Sequence, residues 1–265
     1  MKVGIIGLGV VGSALSFGFS KLGHDVIGFD IKYENVKFED VLTTEIAFIC
    51  VPTPSTAKGC DTSIVEGVVK KFCDAEYKGI LVIKSTVLPG TTERLSRKYG
   101  IDLAFCPEFL RERCAISDFC ENHDILVIGT KNDAFFEKIV SVHGFFPRKV
   151  IRFYSATEAE LVKYFHNTFN MLRIIFANEF FDLCKYFGVD YTKIKNTVCN
   201  HRLSTNKYYL DCSDKWRGAG GPCLPKDTYA IAKLFSEIYD SDNIFEFLVK
   251  RNKKFSITVP RGMRK

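Results

Sequence analysis

"KVGIIGLGVVG", residues 2–12, is the stretch from which the fold is read. Its first half, VGIIG at 3–7, is short, continuous and apolar, as in a strand buried on both faces. It runs directly into GLGVVG at 7–12, a G-x-G-x-x-G turn that opens a helix. The glycines of such a turn bend the chain, admit a pyrophosphate to the backbone and let helix meet strand. The phosphates then rest on the positive helix N-terminus. About 20 residues on, where a dinucleotide-binding βαβ unit places an acid on the ribose hydroxyls, Asp30 closes a second apolar strand, DVIGF at 25–29. Gly7, Gly9, Val10, Val11, Gly12 and Asp30 are therefore expected to hold NAD. A carboxylate at Asp30 disfavours the 2′-phosphate of NADP, and Lys32 beside it weakens that discrimination.

Outward from this turn, further strand-like runs follow at 46–51, 80–84, 103–106 and 124–129, with helical patterns between several of them, as at 62–74 and 132–142. Apolar strands separated by helices predict a parallel sheet covered on both faces. The character changes after residue 153. Residues 156–187 form one helical pattern of about 30 residues, ended by Gly188 as a C-terminal cap. Its apolar residues nearly surround it, which predicts burial in the fold or at a subunit interface. Shorter helices are expected at about 190–200, 226–238 and 242–254. The predicted fold class is α/β: an N-terminal Rossmann-type doubly wound sheet over 1–153, then an all-helical substrate and dimerisation domain over 154–265 built on a long central helix.

Composition narrows the functional classes. Of 265 residues, 46% are hydrophobic and 26% charged, ordinary for a water-soluble globular chain, and the apolar runs are strand-length rather than membrane-length. The first residues do not read as a signal peptide. Ten cysteines are scattered without C-x-x-C pairs, which favours thiols in a reducing, cytoplasmic setting and argues against zinc. Net charge is +6, with seven Lys and Arg and no acid in KRNKKFSITVPRGMRK at the end. No interleaving of aromatic and basic residues accompanies it, so nucleic acid is not the expected partner.

"GAGGPCLPKD", 218–227, sets Cys223 behind adjacent glycines and ahead of Pro225. Proline suits a first helical turn, so Leu224 is expected to cap a helix over about 225–238 whose positive end favours a thiolate at Cys223. The plainer alternative is an inert cysteine in a tight turn. Five motifs occur in order: VPTP (51–54), STVLPGTT (85–92), CPEFLRE (106–112), ELVKYFHNTF (160–169) and GGPCLPKD (220–227). The set resembles the UDP-glucose/GDP-mannose dehydrogenase family and covers nearly the whole chain.

That resemblance implies oxidation of a nucleotide sugar's primary alcohol twice, with two NAD, UDP-glucose to UDP-glucuronate being the expected case. It implies that Cys223 attacks the intermediate aldehyde, giving a thiohemiacetal and then a thioester. Lys163 and Asn167, four apart on one helix face, are implied to stabilise the alkoxide. Asp227 joins the proton relay or positions water, Glu108 lies near the sugar and the hydrolytic water, and Glu112 accepts a proton. Thr86 is placed where nicotinamide meets substrate. Val51, Thr53, Pro54 and Ser85 join the cofactor loops, while Phe109, Leu110, Arg111, Arg202 and Gly220 join the substrate site. The plainer alternatives are an exposed acidic pair for the glutamates, a solvated stripe for Lys163 and Asn167, and pairing with a nearby glutamate for Arg111.

Two departures from the family stand out. The segment between Asp30 and the third strand is short, and the chain stops soon after FLVKRNKKF. A second Rossmann-like domain closing over UDP is therefore expected to be missing, leaving Arg202, Lys207, Arg217 and the basic tail as candidates for the diphosphate. Competing expectations are a single-step β-hydroxyacid-type dehydrogenase, which has no use for a nucleophilic thiol, and a catalytically idle remnant that binds NAD or a partner. The apolar central helix predicts a homodimer.

Overall fold

A computed structural model describes residues 1–33, 36–57, 59–200, 213, 217–239 and 243–255. The chain divides into two compact units, Met1–Pro54 with Cys60–Lys163, and Ser55–Gly59 with Tyr164–Lys265.

The first unit opens with β1 (Lys2–Ile6), α1 (Val10–Lys21), β2 (Asp25–Phe29), the short α2 (Phe38–Val41) and β3 (Ile46–Ile49). Two short paired strands follow, β4 (Ser55–Thr56) and β5 (Gly59–Cys60), with residues Ser55–Gly59 belonging to the second unit. Next come α3 (Ser63–Asp74), β6 (Ile80–Ile83), α4 (Thr91–Tyr99), β7 (Ala104–Phe105), α5 (Ala115–Cys120), β8 (Leu126–Gly129), α6 (Asp133–His143) and β9 (Val150–Phe153). The main sheet has seven strands in the order β2-β1-β3-β6-β7-β8-β9. The chain turns from one side of β1 to the other between β2 and β3, which puts the ligand crevice of an open α/β sheet beside β1 and its glycine turn.

Alternation along the strands builds two cores. Val3, Ile5, Ile46 and Phe48 face one layer with Leu15, Phe19 and Phe119. Ile6, Ala47 and Ile49 face the other with Val65, Val69, Leu81 and Leu95. Each large side chain so buried contributes roughly 1.5–3 kcal/mol. The expectation of a parallel sheet holds for every pair except β7 with β8, which is antiparallel through the single pairing of Phe105 with Gly129. Strand β9 was not anticipated: VIRF sits at the edge, half-buried, and its Arg152 breaks the apolar run.

In α7 (Ala156–Tyr186) the helix passes out of the first unit after Lys163 and continues in the second. Gly188 ends it as predicted, with φ at 65° and the Val189 amide reaching back to the Cys184 carbonyl at 3.0 Å. The second unit adds α8 (Tyr191–Cys199), α9 (Leu224–Tyr239) and α10 (Ile244–Asn252). Its core gathers Met171, Ile174, Ile175, Ala219, Leu248 and Phe255.

Besides its apolar core residues, α7 buries a set of polar ones. Glu160, Asn167, Asn170 and Asn178 are all buried, and with Lys163 they fall within about 80° of one another at 100° per residue. Leu161, Phe165, Phe169, Phe176 and Phe180 form an opposite stripe that is exposed. The apolar girdle read from the sequence is therefore split: one apolar stripe faces solvent, while Met171, Ile174 and Ile175 are buried beside polar residues that are hydrogen-bonded.

Glu160 shows how that polar side is satisfied. Its Oε2 accepts the Gly90 amide at 2.6 Å, and its Oε1 accepts the Thr92 amide at 2.9 Å and hydroxyl at 2.6 Å. These are orphan donors at the start of α4. Burial nonetheless pushes the Glu160 carboxyl up from 4.5 to about 7, against the downward pull of those bonds. Between these values the folded protein holds a proton that the unfolded chain has lost, so stability falls as pH rises through the window. Relative to Glu160→Gln, the native chain should lose on the order of 3 kcal/mol of unfolding free energy from about pH 4 to about pH 8. Denaturant melts across that range check this, and parallel pH profiles for the two proteins would contradict it.

Candidate active site

In the first unit the glycine turn is built to approach a ligand. Gly7 has φ at 92°, and a Cβ there would stand 2.8 Å from the Cys50 carbonyl oxygen. At Gly12 a Cβ would stand only 1.8 Å from the Gly7 carbonyl oxygen, while at Gly9 it would meet nothing within 4 Å. Gly9 thus borders open space at the N-terminus of α1. That terminus has no side-chain cap and no acid in its first turn. Its first intrahelical bond runs from the Ser13 amide to the Gly9 carbonyl, leaving the amides of Val10, Val11 and Gly12 for an anion. The Leu8 amide holds Asp30 Oδ2 at 2.8 Å, and the Lys32 amide holds Oδ1 at 3.0 Å, so the acid is fixed beside the loop. Residues and geometry fit a dinucleotide.

The loops at 51–54 and 85–86 are tied to each other. The Thr53 hydroxyl donates to the Thr86 carbonyl at 2.7 Å, and the Ser85 hydroxyl to the Val51 carbonyl at 2.7 Å. Thr86 is half-buried, Pro54 exposed.

Glu108 is buried and held at several points. Its Oε1 accepts the Phe109 amide at 3.0 Å, its Oε2 lies 3.1 Å from Lys84 Nζ, and its carbonyl accepts Lys163 Nζ at 2.6 Å. Lys163 also lies over the Phe109 ring, 5.4 Å from its centroid. Glu112 is exposed on the turn Glu112–Cys114. Phe109 and Leu110 are half-buried. The Arg111 guanidinium grips Asp118 through Nε at 2.8 Å and a second nitrogen at 2.6 Å. Its partner is thus an aspartate on α5 rather than a nearby glutamate.

In the second unit Cys223 is exposed. Helix α9 starts at Leu224, one residue earlier than predicted, because the Asp227 amide bonds the Cys223 carbonyl at 2.9 Å. Cys223 itself therefore occupies the capping position, at the positive end of the helix. Asp227, one turn on, is buried; it accepts the Asn167 amide at 2.5 Å and lies 2.8 Å from Lys226 Nζ. Asn167 belongs to the buried side of α7, so a solvated stripe is ruled out for it.

Two buried asparagines set the loop ahead of Cys223. Asn178 Oδ1 accepts the Gly218 amide at 3.0 Å, and Asn252 bonds both the amide and the carbonyl of Ala219, at 2.7 and 2.9 Å. Gly220 follows, half-buried, and Gly221 has φ at 82°. Arg217, a candidate for the diphosphate, is bidentate on Asp182 instead. Arg202, Lys207 and residues 256–265 lie outside the described residues. Lys84, Glu160, Asn178 and Asn252 were not anticipated; for Lys84 the sequence signal is a lysine closing the apolar run ILVIK. Among the described residues no cluster suits a metal ion, and no helix is long and apolar enough to cross a membrane.

With this geometry in place, the relatives are informative. Residues 37–146 match the NAD binding domain of the UDP-glucose/GDP-mannose dehydrogenase family, and residues 157–254 match its central domain. The chain belongs to this family. GDP-mannose 6-dehydrogenase of Azotobacter vinelandii is 32% identical over 209 residues, 72% of this chain and 47% of that protein. UDP-glucose 6-dehydrogenase AglM of Haloferax volcanii is 32% identical over 217 residues, 72% and 48% respectively. The structure of a UDP-glucose dehydrogenase from the hyperthermophilic archaeon Pyrobaculum islandicum matches with a TM-score of 0.85 at 28% identity, covering 96% of this chain and 68% of that one. The chain spans about half the length of the curated relatives it matches.

Proposed function

We propose that the chain carries out NAD-dependent two-step oxidation of a nucleotide sugar's primary alcohol to a carboxylate, with UDP-glucose to UDP-glucuronate as the first case to test. The observation that carries this reading is Cys223, exposed at the capping position of α9 and one turn from the buried Asp227–Asn167 pair. A one-step hydride transfer has no use for that thiol.

Bound NAD is the hydride acceptor in each oxidation, held by the 7–12 turn, Asp30, Val51, Thr53, Pro54, Ser85 and Thr86. Glu112 takes the proton of the sugar hydroxyl. Lys163 and Asn167 stabilise the alkoxide by donating N–H groups to it. The hydride then leaves carbon and an aldehyde remains. The Cys223 thiolate adds to the aldehyde carbon and the oxygen takes a proton, giving a thiohemiacetal. Loss of that proton and of a second hydride gives a thioester. Water positioned by Glu108 and Asp227 adds to it, and collapse releases the carboxylate and restores the thiol.

The setting proposed is a reducing, cytoplasmic one, as the scattered cysteines of the sequence favour. The apolar stripe Leu161–Phe165–Phe169–Phe176–Phe180 suits a second copy of this chain, because a two-fold axis pairs such a stripe with itself and removes it from water.

Cys223→Ser should cut turnover on the order of a thousandfold or more and accumulate an ester-linked adduct, visible by intact mass after incubation with UDP-glucose and NAD. Retention of the native rate would remove Cys223 from the mechanism. Light scattering at micromolar concentration should give twice the 30.1 kDa chain mass, and Phe165→Glu with Phe176→Glu should halve it. A native monomer would contradict the pairing.

A further inference from the structure

Lys84 stands one residue past the end of β6, its amide bonded to the Ile49 carbonyl at 2.9 Å. Its side chain is wholly excluded from solvent. The ammonium lies 3.1 Å from Glu108 Oε2 and donates to Cys106 Sγ at 3.4 Å. An ion pair this deep is weak evidence of stabilisation, since apolar replacements of such pairs are often neutral or better. It stands against the one buried carboxylate of the CPEFLRE segment, whose carbonyl is held in turn by Lys163. We propose that Lys84 is a positioning residue that fixes Glu108 as an ionised carboxylate, so that Glu108 orients and deprotonates the hydrolytic water rather than acting as an acid. The catalytic part of this role rests on the reaction proposed above.

The surroundings support this assignment. Burial would push the Glu108 carboxyl up, but Lys84, with His123 and the Phe109 amide, leaves it below the usual carboxylate range. The other titratable groups near the pair offer little competing charge. Burial pushes the Cys106 thiol up and Cys50 to about 12, which keeps both neutral. Burial also holds His123 below its usual value and His143 well below it. Lys163 meets Glu108 through the backbone carbonyl. Lys84 is therefore the charged group in direct contact with the carboxylate, at 3.1 Å, and His123 adds to its effect from farther away.

Protein labelled with carboxyl-carbon-13 glutamate, with the Glu108 signal assigned through Glu108→Gln, gives a readout that needs no turnover. In Lys84→Met the Glu108 midpoint should rise by about one pH unit or more. The acid limb of kcat should move with it, while KM for NAD stays unchanged. An unmoved Glu108 midpoint overturns the proposal. A midpoint that moves in a protein yielding no NADH from any nucleotide sugar supports the pairing and counts against the reaction instead. Should Lys84→Met fail to fold, Lys84→Met with Glu108→Gln decides. A folded double variant shows that the uncompensated carboxylate was the fault, whereas equal failure of both makes Lys84 a packing residue and overturns the proposal.

Discussion

Glu160 takes two main-chain amides and a hydroxyl from the start of α4, and this contact fixes the first turns of α7 within the N-terminal unit. One turn later Lys163 bonds the Glu108 carbonyl. The same helix then carries Asn167 to Asp227 and Asn178 to the Gly218 amide within the second unit. A polar side on a buried helix face is tolerated only where every donor and acceptor finds a partner. Those partners are the STVLPGTT loop, the Glu108 segment and the approach to Cys223, the loops that the proposed reaction would use. The helix buries Met171, Ile174 and Ile175 beside these polar groups, whose positions the hydrogen bonds fix.

The cysteines show the same logic. Cys50 and Cys106 are small core groups whose thiols burial makes harder to ionise. Cys223 is exposed, at the positive end of a helix of 16 residues. Its loop is not loose, because Asn178 and Asn252 hold the main chain at Gly218 and Ala219. The nucleophile proposed above would need this combination of an exposed sulfur on a fixed backbone.

Much of this was legible in the sequence, where a residue type is dictated by local backbone chemistry. The 7–12 glycines, Asp30, the Gly188 stop and the helix after Cys223 all follow from such local rules, and each is found where expected to within a residue. What stayed hidden depends on partners distant in the chain. Glu160 and Asn178 read as ordinary polar positions until the groups 68 and 40 residues away that they bond are known. Lys84 ends an apolar strand, where a lysine ordinarily reaches solvent, and its burial becomes sensible only beside Glu108. Strand direction was equally hidden: β7 and β8 have the apolar content of parallel neighbours, yet they pair antiparallel.

The central claim is that one site performs two oxidations through a sulfur-bound intermediate. Counting NADH formed per molecule of nucleotide sugar, at limiting UDP-glucose, GDP-mannose or a UDP-N-acetyl sugar and excess NAD, tests it most directly. The account predicts two NADH per sugar for the true substrate, with the uronic acid as product and no aldehyde released. One NADH per sugar, with aldehyde accumulating, would contradict it.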